Sequence, residues 1–87
     1  MKRKESFVLQ DIVGEKILVP IGSQVMDMNG LITLNKTAAF IWSLLSKEQT
    51  FNDLLQAVIY KFHVDEKIAE EDLKKFIHEI TEIGLLE

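Results

Sequence analysis

Eighty-seven residues allow one domain of modest stability, because a chain this short buries roughly 60% of the surface its unfolded form exposes. A composition that is 47% hydrophobic and 28% charged, with one Pro and four Gly, excludes a disordered tail or a repeat array, and the absence of Cys removes disulfides, thiolate metal sites and cysteine nucleophiles. The net charge of −4 is unevenly placed: Asp65 to Glu87 holds eight acids and three Lys, whereas the chain before Asp65 holds six acids and seven bases.

No stretch approaches the roughly 18 apolar residues that cross a bilayer. Met1-Lys2-Arg3-Lys4 is followed by Glu5 and Ser6 in place of an apolar signal core, so a cytoplasmic protein with no membrane partner is expected.

The first third reads as strands and turns. FVLQDIV, Phe7 to Val13, alternates roughly, and Gly14-Glu15 interrupts it. Extended character resumes at Lys16-Ile17-Leu18-Val19 and stops at Pro20, which has no N–H to give a ladder. Then QVMDM, Gln24 to Met28, and LITL, Leu31 to Leu34, flank Asn29-Gly30, a dipeptide whose easy access to positive φ suits a two-residue hairpin turn. Three or four short strands are therefore expected, with Leu31 to Leu34 the last before the helices.

Asn35 is placed to cap a helix starting near Lys36, its side-chain oxygen accepting from a first-turn N–H. Ala38, Ala39, Phe40, Ile41, Trp42, Leu44 and Leu45 occupy nearly its whole circumference and leave a narrow polar strip of Lys36, Ser43 and Ser46. Such a helix is buried by neighbours on several sides. Thr50 opens a second helix with Asp53 three positions on, an approximate capping box. Phe51, Leu54, Leu55, Val58, Ile59 and Phe62 form its apolar stripe. After His63-Val64, Asp65 caps a third helix from about Glu66 to Ile83, ended by Gly84 where a left-handed residue is expected.

That third helix has an unusually wide apolar arc. Around its wheel the apolar residues follow in the order Ile68, Ile83, Phe76, Ala69, Ile80, Leu73 and Ile77, and together they sweep about 180°. A surface helix needs a stripe of only about 100°. Periodicity alone favours core on both margins over a margin left for a partner.

Catalytic groups find little support. His63 and His78 have no Cys between them and no recurring carboxylate at metal-binding spacing, and so read as surface histidines. Glu70-Glu71-Asp72 point in different directions on a helix and complement its dipole. The four glycines are too scattered for a phosphate loop, and no nucleophile is paired with a base. The expectation is a non-enzyme without metal or cofactor.

Strands followed by three helices also describe a winged helix, so a DNA-binding or transcription-associated domain is the alternative reading. Its recognition helix would be the third, whose acidity opposes a phosphate backbone, and no nucleic-acid partner is expected. A last strand with a free edge beside an apolar helix margin permits instead the capture of a peptide as an added strand.

Three stretches carry a family resemblance: GLITLNKTAAFIWSLL (Gly30 to Leu45), TFNDLL (Thr50 to Leu55) with Tyr60 and Phe62 downstream, and EDLKKFIHEITEIGLL (Glu71 to Leu86). Over roughly residues 16–87 the chain resembles the PqqD family, most specifically in L-N-x-T-A-x-x-I-W at Leu34 to Trp42 and D-L-x-x-F-I-x-x-I-x-x-x-G-L-L at Asp72 to Leu86. The resemblance implies an α+β, winged helix-turn-helix-like domain: a three-stranded antiparallel N-terminal sheet followed by three α-helices. It would occupy residues 1–87, with a short basic arm at 1–5.

It implies too a non-catalytic role, binding the leader segment of a ribosomally synthesised precursor peptide and presenting it to a modifying enzyme, often a radical SAM protein. In that picture the leader is an added strand on Leu31, Ile32, Thr33 and Leu34, lying against Leu73, Phe76, Ile77 and Ile80, with Lys74 and Lys75 as rim contacts for leader acids. The Val19 to Met26 segment is longer than a tight hairpin needs, which leaves the pairing of the early strands open.

Overall fold

A computed structural model describes residues 1–5, 7–20 and 32–87. The expected Gln24–Met28 strand, the Asn29-Gly30 turn, the segment from residue 21 to Met26 and the peptide-binding assignment of Leu31 lie outside the described residues. Within them the order is β1 (Phe7–Ile12), β2 (Glu15–Pro20), β3 (Ile32–Leu34), α1 (Lys36–Leu44), α2 (Phe51–Phe62) and α3 (Glu66–Glu82). The sheet is antiparallel in the order β1-β2-β3, and the three helices follow it, as the α+β reading expects. Winged-helix-like is a description of that shape.

Strand β1 stops one residue earlier than its alternation suggests. Val13 and Gly14, at φ 52° and 83°, make a two-residue turn fixed by the pairing of Ile12 with Glu15. Positive φ at both positions is the type I′ pattern, whose twist matches that of the flanking strands. Because side chains alternate, Phe7, Leu18 and Leu34 turn to the helices and are buried, while Val8 and Thr33 lie on the outer face and are exposed.

Helix α1 runs through the centre. Ala38, Ala39, Ile41 and Trp42 are buried on it, and Lys36, Ser43 and Ser46 form the expected exposed strip. Its N-cap is Asn35, whose Oδ1 accepts from the Ala38 N–H at 2.8 Å. Thr50 and Asp53 complete a reciprocal capping box on α2, each side chain accepting at 3.0 Å from the other's backbone N–H. His63 ends α2 in the left-handed region, and Asp65 accepts from the Lys67 and Ile68 N–H groups to start α3.

The far end of α3 is closed by Gly84 at φ 79°. The Leu85 N–H donates to the Ile80 carbonyl at 2.8 Å and the Gly84 N–H to the Thr81 carbonyl at 3.1 Å. These are the two bonds of a Schellman motif, and Leu85 and Ile80, both buried, supply its apolar contact. The chain then returns along its own beginning: Arg3 pairs with Leu86, and the Lys4 N–H donates to the Leu85 carbonyl. Arg3 also donates to the Trp42 carbonyl and stacks 5.4 Å from the Trp42 ring. No helix among the described residues is long and apolar enough to cross a membrane.

Candidate functional site

Among the described residues β3 pairs only with β2, so its other edge carries unpaired backbone groups. In an antiparallel ladder successive residues turn their N–H and C=O to opposite edges. Either Thr33 or the pair Ile32 and Leu34 therefore offers its amide outward.

A groove of about 410 Å³ lies beside these residues. Ile32, Thr33 and Leu34 line one side, Asn35, Thr37 and Ala38 the corner where β3 turns into α1, and α3 the other side. The buried Ile41, Val58, Ala69, Leu73 and Ile80 form its floor. Ile68 and Ile83 stand on its open wall, 57% and 53% exposed, with Val64 at the α2–α3 turn and Phe76 half-buried between. Asp72, Lys75 and Glu79 put charge on the rim.

Seven of the ten residues assigned from sequence meet at this groove: Ile32, Thr33, Leu34, Leu73, Lys75, Phe76 and Ile80. Leu34, Leu73 and Ile80 are 6%, 1% and 2% exposed, so they serve the core first and the groove as floor. Lys74 and Ile77 face elsewhere. Both line a shallow recess with Phe51, His78 and Thr81, and the Lys74 ammonium is paired with Glu70 at 3.0 Å.

The wheel explains the division. Ile77 and Lys74 lie at and beyond the far end of the apolar arc and meet the start of α2, whereas the residues from Lys75 through Ile68 and round to Leu73 meet the groove. The margin from Ile68 to Ile83 is the open one, contrary to the expectation of core on both sides. Ile68, Ile83, Asp72 and Glu79 belong to it and were missed as site residues, although the same wheel placed both isoleucines there.

The groove is built for shape and backbone contact. Among the described residues no three His, Cys, Asp or Glu side chains gather as a metal site. An apolar trough beside a strand edge takes an extended chain: the edge supplies ladder hydrogen bonds, and the trough receives every second side chain.

The family model described as coenzyme PQQ synthesis protein D (PqqD) matches residues 15–86. The chain belongs to the PqqD family. No curated protein matches it. Its fold is similar to a solved structure described as TbiB1 in complex with the TbiA(beta) leader peptide, at 25% identity and a TM-score of 0.75, covering 100% of this chain and 95% of that one. A second, lasso peptide synthetase B1 complexed with the leader peptide, is 20% identical with a TM-score of 0.72 over 97% of this chain and 93% of that one, a likeness of fold. The PqqD match begins at the first residue of β2 and ends next to the last residue of the chain, so the groove's described walls all lie within it.

Proposed function

We propose that this PqqD-family protein binds the leader segment of a ribosomally synthesised precursor peptide as a fourth strand along β3 and presents it to a modifying enzyme. The observation that carries the reading is the β3 edge, unpaired among the described residues, opening onto the groove against α3. Family membership supports it, as does the likeness to TbiB1, whose structure holds a leader peptide. On this reading the 87 residues act as one non-catalytic recognition domain in the cytoplasm, and a radical SAM protein is the class of partner enzyme the family resemblance suggests.

The contacts assigned to the leader are the outward amides of Ile32 to Leu34 and the side chains of Ile32, Phe76, Ile68 and Ile83, over a floor of Leu73 and Ile80. Leu31, preceding β3, would extend the same edge. Lys74 and Ile77 are left out of the contact because they face the recess beside α2.

The DNA-binding alternative is disfavoured by charge. Asp72 and Glu79 on the rim, with Glu66, Glu71 and Glu82 also exposed, make α3 repel a phosphate backbone.

Amide NMR during titration with leader peptides encoded by neighbouring genes tests the proposal. Shifts confined to Ile32–Leu34 and to the Ile68–Ile83 face of α3, at micromolar affinity or tighter, are expected. Binding to duplex DNA, or leader-induced shifts confined to α2 and the hairpin of β1 and β2, would refute it.

A further inference from the structure

The groove's apolar wall comes with charges of known sign. Asp72, Lys75 and Glu79 line it, and on the helical wheel all three stand within about 40° of Ile68, on the same strip of α3 as the exposed Ile68 and Ile83. Neither Asp72 nor Glu79 has an ion-pair partner among the described residues, and residues 6 and 21–31 contain no Lys, Arg or His that could supply one. Lys75 stands three residues after Asp72 and four before Glu79, one cation between two anions. Just outside the strip, on its Lys75 side, lie the exposed Glu71 and Glu82. The neighbouring cation, Lys74, is turned to the other recess and paired with Glu70.

We infer that the groove selects a leader segment carrying Lys or Arg beside its apolar anchors. The inference rests on the leader-binding reading and gives the peptide its chemistry. A strand laid between β3 and α3 sends alternate side chains towards α3, where the apolar ones cover Ile68 and Ile83 and their neighbours meet Asp72 and Glu79. Covering the isoleucines removes water from around these carboxylates, which strengthens their attraction to a cation and their repulsion of a leader acid. Lysines in α3 suggest on their own a taste for acidic peptides. The balance at the groove is the reverse, because of the three lysines on α3 only Lys75 lines it, and there it is outnumbered by Asp72 and Glu79.

The test selects a display library of random peptides, each about 14 residues and so long enough to run past both isoleucines, on the full chain and measures synthetic copies of the winners. Peptides that bind the groove are those that fail to bind an Ile68→Asp/Ile83→Asp variant whose circular dichroism is unchanged. They are expected to be rich in Lys and Arg. Against them Asp72→Lys/Glu79→Lys should bind roughly tenfold more weakly at low salt, at about two- to fivefold per exposed charge pair, with the difference shrinking at high salt. Groove-binding winners that are neutral or acidic, or indifferent to the double charge reversal, would overturn the charge inference and leave the groove reading intact. A library that yields no binder, or winners that bind the Ile68→Asp/Ile83→Asp variant as well as the parent, would overturn the groove reading and this inference with it.

Discussion

Replacing Ile68 and Ile83 by Ala separates the proposed peptide contact from the core. Burying an isoleucine side chain fully is worth about 1.5–3 kcal/mol, and 57% and 53% of these residues remain exposed, so a covering peptide would gain about 1 kcal/mol from each. Each single change should therefore weaken leader binding about fivefold, and the double change, losing about 2 kcal/mol, about thirtyfold. Folding should suffer less than at a buried neighbour. The half of each side chain already packed costs about 1 kcal/mol to remove, and at Ile68 the greater helix propensity of Ala returns part of that. Ile80→Ala, at 2% exposure, should cost about 2–5 kcal/mol of stability. Calorimetric titration of a leader peptide reads the affinity. Urea denaturation followed by the fluorescence of Trp42, the single tryptophan and 1% exposed, reads the fold. A double variant that folds like the parent and binds within twofold of it would refute the placement of the peptide on this margin.

Three further outcomes follow from local geometry. Val13 is 98% exposed at φ 52°, where a β-branched residue costs about 1–2 kcal/mol, so Val13→Asn should raise stability by about 1 kcal/mol and the melting midpoint by about 4–8 °C; an unchanged midpoint would refute the turn assignment. At Gly84 an added Cβ meets nothing closer than the Lys4 Nζ at 3.8 Å, so Gly84→Ala should lose about 1–2 kcal/mol to its φ of 79° alone, read by the same denaturation, and a neutral effect would argue against the Schellman closure. Hydrogen bonding to Thr50, first through its backbone N–H and then its side chain, holds the Asp53 carboxyl below its ordinary 3.8. A depressed folded value means that the ionised group stabilises the fold above its ordinary value and that this contribution is lost as pH falls through the folded value. The stability difference between the parent and Asp53→Asn should accordingly close as the solution is taken from neutral to acid below that range, and a constant difference would refute it.

The features legible in the sequence were those set by a few consecutive residues. Asn35, Thr50 and Asp65 each cap a helix through bonds to N–H groups two or three residues on, and Gly84 takes the left-handed position its place predicts. Val13 escaped because the alternation of β1 runs on through it, and only the pairing of Ile12 with Glu15 shows that the turn has begun. The site was legible by face and blurred by neighbour. A wheel gives the direction of Ile77 and Lys74 but not that Phe51 lies across from them, and its apolar centre marks Leu73 and Ile80, which the core consumes.

The open margin follows from how this small chain closes its core. Helix α1 is surrounded, and α3 seals the remaining side with Ala69, Leu73 and Ile80, all nearly inaccessible. The Ile77 margin reaches the start of α2. Opposite the Ile68–Ile83 margin stands β3, only three residues long and at the edge of the described sheet, which leaves a trough where a fourth strand would complete both the ladder and the apolar packing. The α3 side of the trough does not depend on that strand for its shape. Asp65 fixes one end of α3 and the Schellman bonds at Gly84 fix the other, so the α3 wall stands before a peptide arrives. The ordering cost of binding then falls on the peptide rather than on α3, and a short edge with one or two outward amides needs that preorganisation, together with the exposed isoleucines, to bind a leader at useful concentrations.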